Sequence, residues 1–134
     1  MTPADTIRQA VYTAINGAGG YTCYTSPPKS VENFILFDEL RIMEDIVQDV
    51  WTYDVGLTIQ VVTRFEKTGS VKTGSVVATA IDAIMRPTAK TFLTITGWDV
   101  VSMRLDATSE TQEITADAKV FREVLNYFIT IMKQ

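Results

Sequence analysis

The stretch from Trp51 to Phe65 constrains the fold of this chain most, because its side chains alternate between apolar and polar. Seven of its eight odd-numbered residues are apolar, but only one of its seven even-numbered residues is. Successive side chains of a strand point to opposite faces, so the alternation predicts a strand with one buried and one solvent-exposed face. At about 3.4 Å per residue it would reach roughly 50 Å. One small core cannot cover that length, so either Gly56 bends the strand or another subunit covers one end.

Length and composition predict a single globular domain over residues 1–134. The chain has 134 residues, of which 46% are hydrophobic, which is enough for one core and too much for a disordered chain. It contains no run of about 18 apolar residues, so no membrane span is predicted. Its first residues show no basic region followed by an apolar one, so no secretory signal is expected either.

The residue types that are missing or rare exclude several kinds of chemistry. The sequence has no histidine and one cysteine, Cys23. Ser-His-Asp and Cys-His catalysis, histidine-based zinc sites and an internal disulfide are therefore excluded, and Cys23 is expected to be a packing residue. The net charge of −4 argues against a broad electrostatic grip on nucleic acid, although DNA could still pass through an acidic channel.

Two helices are predicted, one on each side of the long strand. The first runs from about Pro3 to Asn16, with Thr2 as its N-cap and Asn16-Gly17 as its stop. The second lies between Ser70 and Met85 and ends before Pro87. Both carry an apolar stripe at helical spacing, formed by Ile7, Ala10, Val11, Ala14 and Ile15 in the first helix and by Val76, Val77, Ala80, Ile81, Ile84 and Met85 in the second.

Shorter strands are predicted on both sides of the long one. Tyr21–Thr25 is a short strand candidate before two prolines, Phe34–Phe37 is apolar on both faces and β-prone, and Trp98–Ala107 alternates as a strand. The acidic stretch Asp38–Asp49 fits a continuing strand and turn, although some of its residues follow helical spacing. The polar stretch Asp106–Thr115 is predicted to be a loop.

The last segment, Ala118–Met132, fits either a strand or a helix by spacing. Its content of Val, Phe, Tyr, Ile and Thr favours the strand. Together these elements predict an α+β fold, an antiparallel β-sheet with the N-terminal helix and the middle helix packed on one face.

No group of residues in the sequence selects a catalytic, cofactor or metal site. The stretch Gly69–Ser75 imitates a phosphate loop, but its lysine stands at the wrong position, so a helix start preceded by a glycine-containing turn is favoured. The acidic residues between Asp38 and Asp49 fit no calcium loop and favour a solvated surface. Acid–base chemistry by a carboxylate pair stays open, although nothing selects the pair.

The order of these features resembles the tail-completion, or tail terminator, proteins of long-tailed bacteriophages and prophages. The resemblance covers nearly the whole chain and rests on order, length and strand pattern rather than on a catalytic motif. Its segments are the helix ending in Asn16-Gly17, the Pro27-Pro28 stretch before Phe34–Phe37, the long strand Leu57–Phe65, the helix Val76–Met85, the segment Gly97–Leu105 and the closing Val120–Tyr127.

The resemblance implies a structural protein without catalytic residues or cofactors. Members of that family form a ring, typically a hexamer, on the head-proximal end of the tail tube. The expected partners are other copies of this chain, the tail tube protein and head–tail connector proteins, with no membrane and no sequence-specific nucleic acid, although DNA could pass through the ring. The expected location is the virion tail, assembled in the cytoplasm of the bacterial host.

The excess length of the central strand and the two apolar faces of Phe34–Phe37 suggest where subunits meet. We expect Phe34, Leu36, Trp51 and Tyr53 to contribute to the oligomer interface. Within one subunit, Trp51 and Tyr53 should then be less buried than Ile59 and Val61, which lie further along the strand. The alternatives are a small ligand- or peptide-binding α+β module with a pocket between sheet and helices, or a hydrolase that uses a carboxylate pair.

Overall fold

The computed structural model describes residues 3–29, 33–47, 50–66, 72–114 and 118–134. Two α-helices and five strands follow one another in the chain, with a short 3₁₀ helix at Ala18–Gly20 after the first α-helix. They are α1 (Ala4–Ile15), β1 (Cys23–Tyr24), β2 (Phe34–Val47), β3 (Val50–Glu66), α2 (Lys72–Met85), β4 (Trp98–Ile114) and β5 (Ala118–Lys133). None of the helices in these ranges is long and apolar enough to cross a membrane.

All five strands belong to one sheet, in the order β1-β2-β3-β5-β4. β1 runs parallel to β2, and every other neighbouring pair is antiparallel. The helices pack on one face of the sheet, where α1 contacts β2 and α2 contacts β3, β5 and α1. The predicted α+β class is therefore confirmed, with a mixed sheet because of the short parallel strand β1.

The long strand predicted from alternation forms the centre of this sheet. β3 pairs with β2 from Val50 to Val62 and with β5 from Thr52 to Glu66. Its odd-numbered residues from Tyr53 to Thr63 are all buried, whereas the even-numbered ones, apart from Val62, are partly or fully exposed. The alternation thus separates a face covered by the helices, the core face, from a face on which no helix packs, the open face.

A β-bulge in β2 keeps the apolar residues on both sides of it on the core face of the sheet. The register shifts between Phe37 and Glu39, which adds one residue to β2. Ile35 and Phe37 join the main core before the bulge, and Leu40 and Ile42 pack against the same core after it. Without the extra residue, the later pair would point to the open face, since side chains alternate with a period of two.

Both segments that sequence spacing left ambiguous are strands. β2 continues through the acidic stretch to Val47, and residues 48 and 49 lie outside the described residues. The last segment is β5, which pairs with β3 on one side and with β4 on the other. Two neighbouring strands satisfy its backbone hydrogen bonds, which favours the strand over an equally amphipathic helix.

The prediction of a loop at Asp106–Thr115 is wrong for residues 106–114. β4 continues to Ile114 and pairs with β5 down to Ile114 opposite Lys119. Every side chain from residue 106 to residue 114 is exposed, so no apolar alternation marks the strand in the sequence. Backbone pairing with β5 holds this segment in the sheet. Thr115 lies outside the described residues.

The helix boundaries agree closely with the predicted ones. α1 begins after Pro3, which occupies the cap position without a side-chain cap hydrogen bond, and the predicted cap Thr2 lies outside the described residues. Gly17 follows the helix with a positive φ of 87°, a conformation that glycine adopts at little cost. α2 begins at Lys72. The sequence predicts a turn over Glu66–Gly69, of which Glu66 is instead the last residue of β3 and residues 67–69 lie outside the described residues.

A polar contact fixes α2 on the sheet. The Tyr127 hydroxyl donates a hydrogen bond of 2.8 Å to Asp82 Oδ1, and Arg86 donates to both oxygens of the same carboxylate at 3.0 and 3.1 Å. Burial opposes ionisation of Asp82, but the hydrogen bonds from Arg86 and Tyr127 outweigh it and lower the pKa of this carboxyl. Burial, together with the bond to Asp82, raises the pKa of Tyr127, so the hydroxyl stays protonated and donates.

We expect Tyr127→Phe to lower the free energy of unfolding by about 1.5–3 kcal/mol, the usual range for a hydrogen bond to a charged group. Urea denaturation followed by circular dichroism measures this change. Tyr12→Phe is the matched control, because the Tyr12 hydroxyl has no hydrogen-bond partner within the described residues. Equal losses in the two variants would contradict a special role for the contact between Tyr127 and Asp82.

Candidate assembly surfaces

The helix layer is much shorter than the sheet that it covers. β3 has 17 residues and spans roughly 55 Å, whereas α2 has 14 residues and spans about 21 Å. The two helices therefore cannot cover the whole length of the core face by themselves. Large apolar side chains are exposed at both ends of the sheet, namely Met43 and Trp51 at one end and Ile114 at the other.

At the start of β3, Trp51 and Tyr53 differ in burial, although the sequence predicts that both are less buried than Ile59 and Val61. Trp51 is 44% exposed, as expected, but Tyr53 is 2% exposed and as well buried as Ile59 and Val61. The expectation that Tyr53 is less buried is therefore wrong. The Tyr53 ring packs edge-on against Trp98, with centroids 5.3 Å apart, and the Lys133 ammonium lies 5.1 Å from the Trp98 ring centroid. Trp98 and Lys133 extend the core to Tyr53 but leave Trp51 exposed.

Phe34 and Leu36 are buried within the chain, on the open face of the sheet. They form a small second cluster with Val62, against which Tyr24 and Val120 pack. Phe34 and Tyr24 meet edge to face with centroids 6.2 Å apart. Both residues therefore have little surface left for a partner. Of the four residues predicted at the interface, Trp51 alone offers a large exposed apolar surface. We call the end of the sheet formed by Met43, Glu44, Val50 and Trp51 the Trp51 end.

The outer half of β4, residues 106–114, forms a second exposed surface, which we call the acidic edge. β4 is the last strand of the sheet and pairs with β5 on one side only. The acidic edge holds Asp106, Glu110 and Glu113, has no basic residue and ends in Ile114, which is 66% exposed. An edge strand offers unpaired backbone donors and acceptors to another chain, and acidic side chains are one means of restricting that contact.

Glu110 stands directly opposite Glu123 of β5, so two like charges face each other across the strands. One oxygen of Glu123 is buried and has no hydrogen-bond partner among the described residues. Desolvation, together with repulsion from Glu110, raises the pKa of the Glu123 carboxyl. The ionised pair destabilises this part of the sheet in an isolated subunit.

Cys23 and Tyr21 have structural roles in the core rather than chemical roles. Burial raises the pKa of the Cys23 thiol to about 11, so the reactive thiolate is scarce at neutral pH. The Tyr21 hydroxyl is 2.9 Å from Thr63 Oγ1 in the core. Within the described residues, no group of three or more potential ligand side chains is placed to hold a metal ion.

The structure also contains an open groove of about 420 Å³ between α1 and β1. Arg8, Gln9 and Tyr12 form its helix side, and Thr22, Cys23 and Tyr24 form its strand side. The backbone N–H of Cys23 already donates to Asn16 Oδ1 at 2.9 Å. A peptide that added to β1 as a new strand would therefore find this donor occupied.

The fold is shared with a component of a virus-like particle. The chain is similar to a chain in the virion of a native gene transfer agent particle, with a TM-score of 0.73 and 14% sequence identity over 96% of both chains. The sequence matches no protein-family model and no curated protein. The two chains therefore share their fold along almost their entire lengths, with little sequence similarity.

We expect Glu123→Gln to stabilise the protein at neutral pH by a few tenths to about 1 kcal/mol, the usual size of cross-strand charge effects. In the folded state Glu123 binds its proton more tightly than in the unfolded state, so the fold loses stability as pH rises from the ordinary pKa to the raised pKa of the folded state. The gain should therefore disappear below pH 4.5, its ordinary pKa, where both states are protonated.

Thermal unfolding of Glu123→Gln between pH 4 and pH 8 measures this effect. Glu113→Gln is the control, because Glu113 is exposed on the same hairpin and stands opposite Val120 rather than an acidic residue. A gain of the same size in both variants, or one that is independent of pH, would contradict the assigned repulsion.

Proposed function

We propose that this chain is a structural subunit of a phage or prophage virion, and specifically a tail terminator that forms a ring on the end of the tail tube. The observation that carries the proposal is the fold similarity to a virion particle chain over 96% of both chains. The sequence resemblance to tail-completion proteins supports the same class independently, since it was drawn from the order and length of the elements.

The exposed ends of the sheet support an assembling protein over an isolated one. Single exposed apolar residues are common on monomers, so the support comes from the type and place of the exposed residue rather than from a patch. Tryptophan is also among the residues that contribute most to binding energy at interfaces. Trp51, which is 44% exposed at the end of the central strand, is therefore our proposed anchor for a neighbouring subunit.

In this proposal the subunits close into a hexameric ring that ends tube polymerisation and joins the tail to the head. The tail tube protein and the head–tail connector proteins contact opposite ends of the ring, and DNA passes through its centre. The net charge of −4 suits a channel that does not hold DNA tightly. The protein acts in the virion tail after assembly in the host cytoplasm, and no catalytic step is assigned to it.

Electron microscopy of the purified protein, alone and with isolated tail tubes, tests the proposed function. We expect rings with a central hole, and a ring on one end of each tube. A protein that stays monomeric at high concentration and leaves tube ends bare would overturn the proposal.

The groove between α1 and β1 favours the alternative, a peptide-binding module. It has the size of a ligand site and an aromatic side chain on each wall, Tyr12 and Tyr24. A monomer that binds peptides in this groove would support that function, which Tyr12→Ala should then abolish. We favour the structural role, because the groove explains neither the length of the sheet nor the exposed Trp51.

We expect Trp51→Ala to raise the protein concentration needed for assembly by about tenfold or more, which corresponds to the loss of an interface anchor. The thermal stability of the subunit should change little, because Trp51 is 44% exposed. Trp98→Ala is the contrasting variant: Trp98 is 6% exposed, and its loss should cost about 3–5 kcal/mol of folding stability.

Sedimentation velocity over a range of concentrations, together with thermal unfolding of each variant, separates the two effects. An assembly curve for Trp51→Ala that matches the wild-type curve would remove Trp51 from the interface.

A further inference from the structure

The outer face of α2, formed by Val76, Thr79 and Ala83, is unusual for a helix exposed to solvent. All three residues are exposed and none is charged, and Val76 is 55% exposed. Helices on the surface of a globular protein normally carry charged or polar residues on this side. The remaining charge in the middle of α2, Asp82, is engaged by Tyr127 and Arg86. The composition of α2 is therefore typical of a helix covered on both sides.

The charges around this helix complement those of the acidic edge. Residues 72–97 contain three basic residues and one acidic residue, of which Arg86 and Asp82 pair with each other. Residues 106–114 contain three acidic residues and no basic one, and Asp106 forms an ion pair with Arg104 of the same strand. Lys72 is the first residue of α2, and Lys90 follows shortly after its end. One copy of the chain thus provides both an uncharged helix face between basic residues and an exposed acidic strand.

A direct contact between the two free sheet edges of neighbouring copies is disfavoured by charge. Among the described residues, β1 pairs with β2 only at Ile35 and Leu36, so within this part of the chain the later residues of β2 form the other edge of the sheet. Residues 38–47 on that edge include four acidic residues and one basic residue. Two acidic strands placed side by side would repel each other, whereas the α2 region would attract the acidic edge.

We propose that the acidic edge of one copy lies along the outer face of α2 of the next copy, with Ile114 packed against Val76. This proposal rests on the proposed function and names one contact between its subunits, in addition to the proposed contact at the Trp51 end. The acidic edge spans roughly 30 Å and α2 about 21 Å, so the strand can cover the whole helix. The contact joins two different surfaces, and repeated contacts of this kind close into a ring when the rotation between copies allows it.

The contact would also relieve the charge repulsion at the acidic edge. Glu110 and Glu123 repel each other in the isolated chain, and nearby lysines of a second copy would offset that repulsion. Ile114 and Val76, both largely exposed in one chain, would become buried together. The same contact would therefore bury the uncharged face of α2 and offset the repulsion at the acidic edge.

Cross-linking between two variants that each carry one introduced cysteine tests the contact. Val76→Cys protein is mixed with Ile114→Cys protein at assembling concentration and treated with a short bis-maleimide. The native Cys23 is buried, so background reaction should be small. We expect cross-linked dimers that join one chain of each variant, identified by peptide mass spectrometry. Val101→Cys replaces Val76→Cys in the matched control, because both positions are 55% exposed, and it should give at least tenfold fewer dimers.

Charge reversal gives a second measurement that does not depend on cross-linker geometry. We expect Glu113→Lys to raise the concentration needed for assembly severalfold, and Glu39→Lys, the same change on the exposed edge of β2, to leave it within twofold of wild type. Thermal unfolding of both variants reports whether each subunit is folded.

The outcomes distinguish this inference from the function on which it rests. Wild-type rings with no excess of Val76–Ile114 cross-links over the control, or with equal effects of Glu113→Lys and Glu39→Lys, would overturn the contact and leave the ring intact. A wild-type protein that forms no oligomer would overturn the proposed function, and the contact with it.

Discussion

The backbone pairing of β3 with β2 on one side and β5 on the other is the interaction on which the rest of the structure depends. It runs along nearly all of the 17 residues of β3, so the sheet is as long as its central strand. Two helices cannot cover that length, because a helix advances less than half as far per residue as a strand. The exposed surfaces at both ends follow from this difference in reach.

The position of the helix layer depends on a smaller number of contacts. Ile81 and Met85 of α2 are fully buried against the sheet, and the Tyr127–Asp82 hydrogen bond fixes where the helix lies along β5. Apolar packing supplies most of the stability but little positional specificity, whereas the buried Tyr127 hydroxyl and the half-buried Asp82 carboxylate must meet within a few tenths of an ångström. The outer face of α2 is therefore presented at a defined place on the subunit.

Much of the fold could be predicted from the sequence, because side-chain alternation and helical spacing report directly on burial. The central strand and both helices were predicted on this basis. The outer half of β4 was missed because all of its side chains are exposed and only backbone pairing reveals the strand. Tyr53 was misplaced because its cover, Trp98, is 45 positions away in the sequence. Pairing of this kind over long sequence distances leaves no local pattern.

The surfaces that matter for assembly were only partly predictable for the same reason. Trp51 could be proposed from the excess length of its strand, but the burial of Phe34 and Leu36 depends on Val62 and Tyr24, which lie on other strands. The uncharged outer face of α2 is visible in the sequence once the buried face is known, and only the structure shows which side of the helix faces the sheet.

Hydrogen–deuterium exchange at two protein concentrations is the most direct test of the central claim, which is that a second copy covers the surfaces that the helices leave exposed. Our account predicts that residues 106–114, the outer residues of α2 and the Trp51 end exchange more slowly at assembling concentration, while the sheet centre around Ile59 stays unchanged. Exchange that is independent of concentration at all three surfaces would contradict the account.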